Sequence, residues 1–256
     1  MLALFVLLHI QFVQAGDLRI VSLHPAITEN LFALGLGKNI VGTTEYSDFP
    51  TEAKNIPRIG DHRFSLEKII SLKPTHIVTI SDRTGISKEL ASKAKIKIVQ
   101  VHFEDFEDFV PVIQKLGDEF QMQKQARTLA DDWKTSWTKF ASKDSQRTAV
   151  IQVQADPIVV AGRNTFLNTI LNKCGIRNAI ESSGYPTLNR ESLVKLSPSK
   201  VVLLLTDIDE STKESTRNLW KSTLKGKELA FFDPNTISKL TPRLPAEAKK
   251  FCETLK

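Results

Sequence analysis

Five histidines (His9, His24, His62, His76 and His102) and two cysteines (Cys174 and Cys252) are the side chains best suited to metal or nucleophilic chemistry in this 256-residue chain. No two of the histidines stand four apart on one helix. Neither cysteine has a Cys or His three positions away, so the spacings that set two ligands on one metal are missing. There is no GxSxG elbow to expose a nucleophile, no P-loop, and no GxGxxG following a strand. The glycines of "ALGLGKN" come after a helical pattern rather than a strand, which removes a phosphate cradle. The chain offers no paired acids, Ser-His or metal spacing for catalysis, and an enzyme is not expected.

What remains is recognition. His24 and His62 each fall in a loop at the end of an element of the first half, where doubly wound sheets place their ligand crevice. Either could touch a ligand or the metal of a metallated macrocycle, or be an ordinary loop histidine; no metal site is assigned beyond these two. His76 lies inside a strand pattern and reads as structural. Tyr46 in "TTEYSDFP" and Tyr185 in "SSGYPTLNR" are loop aromatics, one per half. An aromatic from each side suits a large flat ligand, because stacking rewards area at small entropic loss. The alternative is that each ring pins its loop onto its own half.

The elements that would position these residues occur twice. "SLEKIISLKP" (Ser65 to Pro74) and "RESLVKLSPS" (Arg190 to Ser199) align at one constant offset, Glu67 with Glu191, Leu72 with Leu196 and Pro74 with Pro198. The first helix of each half aligns as well, Leu31 with Leu171, Gly35 with Gly175 and Ile40 with Ile180. An ordered set of matches means duplication with diverged loops. "RIVSL", "NIVG", "HIVTI" and "KIKIVQV" read as strands of the first half, and "RTAVIQVQ", "KVVLLLT" and "KELAFFD" as strands of the second. Thr28 is the expected N-cap of "TENLFALGLG" and Ser65 that of "SLEKIISLK". Strands alternating with helices imply parallel sheets in layered α/β lobes. Between the halves, the stretch from Gln121 has no Pro or Gly, and Ala126, Leu129, Trp133, Trp137 and Phe140 recur at helical spacing. It predicts one rigid helix of about twenty residues, roughly 30 Å long, with a cleft between the lobes it holds apart. The expected division is 1–15 leader, 16–120 first α/β lobe, 121–143 linking helix and 144–256 second α/β lobe.

Composition is that of a globular protein, 41% hydrophobic and 25% charged, with a formal charge of +6. The basic residues are scattered and no stripe interleaves them with aromatics, which argues against nucleic acid. Leu2 to Val13 is an apolar run too short for a bilayer core of about 30 Å. It ends at Val13-Gln14-Ala15, small residues of the kind a signal peptidase reads. The expectation is an exported protein, soluble and not lipid-anchored because no Cys follows the run. In an oxidising compartment two cysteines are a candidate disulfide, though two separate buried thiols would also fit.

"RIVSLHPAITENLFALGLGKNIVGTTEYSDFP", "IGDHRFSLEKIISLKPTHIV", "RESLVKLSP" and "TPRLPAEAKKFCETL" together resemble the class III periplasmic substrate-binding proteins of ABC importers, most of all its cobalamin-binding members. The resemblance covers nearly all of the chain beyond the leader. It implies two α/β lobes, one backbone helix and a ligand in the cleft. It also implies that Glu67 and Glu191 dock on arginines of an ABC permease dimer, itself joined to ATPase subunits. A first-turn carboxylate suits that role, since the helix dipole holds it and it forms charge-assisted bonds to Arg. By the same resemblance Cys174 and Cys252 pair, and Pro25, Ala26, Tyr46 and Tyr185 face the ligand. Asp61, with Phe64 nearby, stands where the family has an aromatic; Val153 replaces a phenylalanine; Asn235 and Lys239 stand for an acid and an arginine. The resulting expectation is a monomeric carrier of cobalamin or a related corrinoid, without a resident cofactor. Haem or a ferric siderophore on the same scaffold is the alternative, with His24 and His62 favouring haem and Arg63, Arg83 and Lys239 available to a siderophore.

Overall fold

The computed structural model describes residues 18–61, 63–80, 94–103, 105–138, 140, 146–205, 209–224 and 228–255. The chain forms two compact units, one containing the residues up to Thr28 and Gly35–Val101, the other Glu29–Leu34 and His102–Lys256.

In the first unit four short strands, β1 (Ile20–Ser22), β2 (Ile40–Gly42), β3 (His76–Thr79) and β4 (Lys97–Gln100), pair in parallel in the order β2-β1-β3-β4. Parallel strands are covered on both faces, which is why their β-branched residues run nearly unbroken. Val21, Leu23, Ile59, Ile69, Ile77 and Ile96 form the buried cluster they share with helix α2 (Leu66–Ser71). Because β2 and β3 lie on opposite sides of β1, the chain direction switches at the carboxyl end of β1. That is where ligand loops gather in open α/β sheets.

Helix α1 (Pro25–Ala33) starts three residues before the expected cap. Proline suits a first turn, its missing N–H being unpartnered there in any case. Thr28 therefore lies inside the helix, and its buried hydroxyl bonds other side chains instead of capping.

In the second unit, α3 (Phe109–Glu119) and α4 (Gln123–Thr138) precede β5 (Thr148–Gln154), β6 (Ile158–Val160), α5 (Phe166–Lys173) and β7 (Arg177–Asn178). Then follow β8 (Thr187–Leu188), α6 (Arg190–Leu196), β9 (Lys200–Leu203), α7 (Glu210–Leu224), β10 (Glu228–Phe231), α8 (Pro234–Ile237) and α9 (Leu244–Thr254). β7, β5, β9 and β10 pair in parallel and repeat the order of the first sheet. The sheet is nevertheless mixed rather than wholly parallel. After Asp156-Pro157 the chain turns back as β6, antiparallel to β5, and β8 adds to it. Three-residue β6 and two-residue β8 are too short to leave a periodic signal.

The duplication extends to individual hydrogen bonds. Ser65 Oγ accepts from Lys68 N at 3.3 Å, and Asn189 Oδ1 accepts from Ser192 N at 2.9 Å. Past each helix a left-handed residue precedes the proline, Lys73 (φ 46°) and Ser197 (φ 40°). Thr75 Oγ1 then accepts from Arg19 N at 3.1 Å, as Ser199 Oγ does from Thr148 N at 3.2 Å. Gly35 (φ 87°) and Gly175 (φ 71°) end α1 and α5 in the left-handed region that other residues enter only with strain.

The predicted central helix is α4, which spans 16 residues, about 24 Å. Its Ala126, Ala130, Trp133 and Trp137 are buried within the second unit. Trp133 stacks on Phe109 at 3.8 Å between ring centroids. A side chain at Gly117 of α3 would meet the Ala126 methyl at 2.4 Å, so glycine sets how closely the two helices approach. Cys174, at the end of α5, is disulfide-bonded to Cys252 of α9.

Candidate ligand-binding loops

In the first unit two loops leave the carboxyl ends of adjacent strands. The first is the turn through Leu23 and His24 into α1, whose opening residues are Pro25 and Ala26. Ala26 is 1% exposed, so neither its methyl nor its backbone is open at this surface. His24 Nδ1 accepts from Ala26 N at 3.2 Å. An imidazole accepting at Nδ1 carries its proton on Nε2 when neutral, which leaves no lone pair there for a metal.

The second loop carries Tyr46, 49% exposed, between Thr44 and Ser47, whose hydroxyls are buried and bonded to each other at 2.9 Å. Arg58 clamps it from the side, donating from Nη1 to Thr44 O at 2.6 Å and to Ser47 O at 3.0 Å. Its Nη2 reaches Asp48 at 3.2 Å. Phe49 on the same loop is 48% exposed. Sequence reading passed over Phe49, although "YSDFP" sets two aromatics three apart in one polar loop.

Asp61 is half-buried on a turn closed by the bridge between Gly60 and Phe64. Phe64 packs against the core cluster of Val21 and Ile69. His62, Arg83 and the leader lie outside the described residues.

In the second unit, Tyr185 is 53% exposed and follows Gly184, whose amide and carbonyl bond the backbone of Arg163 and Gly162. Desolvation holds the Tyr185 phenol above its ordinary pKa. Val153 is half-buried at the carboxyl end of β5.

Asn235, exposed on α8, donates its amide to Asp233 Oδ1 at 2.8 Å and accepts at its carbonyl from Arg243 Nη2 at 2.8 Å. Lys239 is half-buried on the segment between α8 and α9. That segment is anchored by Arg243, whose Nε and Nη2 reach Glu29 Oε2 and Oε1 at 2.7 and 3.1 Å. Sequence gave no sign of this pair, 214 residues apart.

Glu67 and Glu191 are both exposed, in the first turns of α2 and α6. Among the described residues no three His, Cys, Asp or Glu side chains could share a metal ion, and no helix is long and apolar enough to cross a membrane.

Two copies of one parallel α/β unit, with exposed aromatic loops and matched acid-bearing helices, define a solute-binding scaffold. Residues 20–222 match the family described as periplasmic binding protein, and the chain belongs to that family, whose members bind solutes for transport and are not enzymes.

Among curated relatives, the uncharacterised ABC transporter substrate-binding lipoprotein YvrC of Bacillus subtilis is 29% identical, over 93% of this chain and 79% of its own. The vitamin B12-binding protein of Photorhabdus laumondii is 24% identical, over 94% and 89%. Among solved structures, the periplasmic heme-binding protein HutB of Vibrio cholerae superposes with a TM-score of 0.82 at 20% identity, covering 93% of this chain and 99% of that one.

Proposed function

We propose that this protein is the substrate-binding component of an ABC importer, and that it captures cobalamin or a related corrinoid outside the cytoplasm. The observation that carries the transport role is the duplicated acid. Glu67 and Glu191 occupy the same position, two residues past a side-chain cap, of two short helices that each leave by a left-handed residue and a proline. Two equivalent exposed carboxylates suit a permease built from two like subunits, each offering arginine. Residues 1–15 serve as the export signal in this reading, and the mature protein acts as a soluble monomer.

For the ligand, the B12-binding relatives match over nearly the whole chain. Tyr46 and Tyr185 supply exposed rings for a flat macrocycle. Pro25, Ala26, Asp61, Phe64, Asn235 and Lys239 complete the proposed contacts.

Haem is the second reading, raised by His24 and His62 and by the structural neighbours that bind it. The engaged Nδ1 of His24 speaks against iron ligation by that residue. A siderophore would look to Arg63 and Lys239.

Titrating the purified protein with aquocobalamin and with hemin, each followed by absorbance, separates the readings. Saturable binding of aquocobalamin alone is the expected result, and saturable binding of hemin alone would overturn it.

A further inference from the structure

Resting on the reading of loops 24–26 and 44–48 as ligand loops, we infer that Thr28 is a positioning residue that locks both into one pre-organised surface. Five hydroxyl side chains, Ser22, Thr28, Thr43, Thr44 and Ser47, are each no more than 1% exposed in the first unit. Thr28 Oγ1 is their hub. It lies 2.8 Å from Ser22 Oγ, 2.7 Å from Thr43 Oγ1, 3.2 Å from Ser47 Oγ and 3.3 Å from His24 O.

A hydroxyl has one proton to give and two lone pairs to receive. Ser22 and Thr43 can fill its lone pairs while its proton goes toward Ser47 or the His24 carbonyl. Ser22 Oγ also lies within donating distance of that carbonyl, at 3.2 Å, so the hydroxyls share their protons among these partners. The carbonyl that opens the first loop is held by the Thr28 amide at 3.1 Å and Ser22 Oγ at 3.2 Å, with the Thr28 hydroxyl adding a third contact at 3.3 Å. Thr28 Oγ1 also reaches the residue following Tyr46 at 3.2 Å. Ser47 then bonds Thr44, and Arg58 fixes both of their carbonyls.

An apolar core would fill the same space more simply, because buried hydroxyls carry a desolvation penalty that their hydrogen bonds little more than offset. What the network adds is fixed loop geometry. Loops already ordered before the ligand arrives lose less entropy when it binds, and that gain appears as affinity. The Thr28 methyl packs as valine would, so Thr28→Val removes the hub while keeping shape.

The test compares wild type, Thr28→Val, Thr28→Ser and a control, Ile69→Val, which lightens the same unit's core without removing a hydroxyl of the network. Amide hydrogen exchange of the ligand-free protein should accelerate about tenfold or more at Ala26, whose amide bonds His24 Nδ1, and at residues 44–48 in Thr28→Val alone, with Thr28→Ser restoring protection. Dissociation of aquocobalamin should accelerate by about tenfold in the same variant, beyond any change in Ile69→Val of comparable melting temperature. Unchanged loop exchange in Thr28→Val overturns the inference whether or not the protein binds a corrinoid. Faster exchange with an unchanged dissociation rate overturns the link to binding. If wild type does not bind aquocobalamin, the corrinoid reading fails, and the exchange experiment still decides the role of Thr28 in holding the loops.

Discussion

The Glu29 carboxylate meets both donor edges of the Arg243 guanidinium, Nε at 2.7 Å and Nη2 at 3.1 Å, although 214 residues separate them. The Glu29 side chain is 3% exposed and that of Arg243 21%. Burial works against the Arg243 charge, but the hydrogen bond and attraction of Glu29, with the charges of Glu247 and Asp233, together outweigh it, and the guanidinium pKa is raised. Bidentate geometry supplies that compensation. Removing Arg243 strands a buried carboxylate. Arg243→Ala should therefore destabilise the fold by roughly 3 kcal/mol. For a chain of this size that lowers the melting temperature by roughly 6–12 °C. Glu29→Gln, which keeps one acceptor oxygen for the guanidinium but replaces the other with a donor, should lose part of the same stability. Equal melting of Arg243→Ala and wild type would show that the pair is not structural.

The disulfide offers a second test. Cys174 and Cys252 are 78 positions apart, and their bond ties the end of α5 to the terminal helix. Closing a loop of that length stabilises by about 4 kcal/mol in the chain-entropy model. The double variant Cys174→Ala/Cys252→Ala should melt well below the wild type, and reductant should lower the wild-type transition toward it. Identical transitions with and without reductant would rule out a stabilising bridge.

A duplicated helix start predicts duplicated sensitivity. Ser65→Ala and Asn189→Ala each remove a side-chain acceptor from the third amide of a helix, at a cost of about 1 kcal/mol in denaturant unfolding. Similar losses at both sites are expected. A clear effect at one alone would mean that the second cap is incidental.

Glu67 and Glu191 should behave differently. Both are exposed first-turn acids, so Glu67→Lys/Glu191→Lys should cost about 1–2 kcal/mol through the two helix dipoles and leave the protein folded. Aquocobalamin binding should persist, and uptake by cells carrying the cognate permease should be lost. Normal uptake with the double reversal would point to a receptor-docking sensor instead.

Tyr46 and Tyr185 are the chain's two tyrosines, so their phenolate absorbance can be separated by substitution. Desolvation disfavours the Tyr185 phenolate, which raises its pKa above the ordinary value of 10.0. A group raised in the folded state gives stability that is whole below the unfolded pKa and fades as pH climbs through the folded one. Tyr185→Phe should delete an absorbance step lying above the ordinary tyrosine range and blunt the loss of stability above about pH 10. Loss of a step at or below the ordinary value would overturn the assignment.

Much of the scaffold is written locally. Ser65, Glu67, Leu72 and Pro74 announce a capped, acid-led, terminated helix, and their recurrence from Asn189 to Pro198 announces the second copy. Val21, Ile77, Val150 and Val201 mark strands buried on both faces. Such signals survive in sequence because capping, periodicity and proline stops act over a few residues.

Pairings between distant segments were left to the fold. Whether Thr28 caps a helix or becomes the hub of a hydroxyl network depends on Thr43 and Ser47 arriving beside it. Whether Arg243 is a surface cation or an anchor depends on Glu29. The antiparallel β6 and β8, and the burial of the Trp133 and Trp137 face of α4, likewise arise from what packs alongside them. Local sequence fixes the backbone's own hydrogen bonds; only three-dimensional proximity decides which buried polar groups find partners.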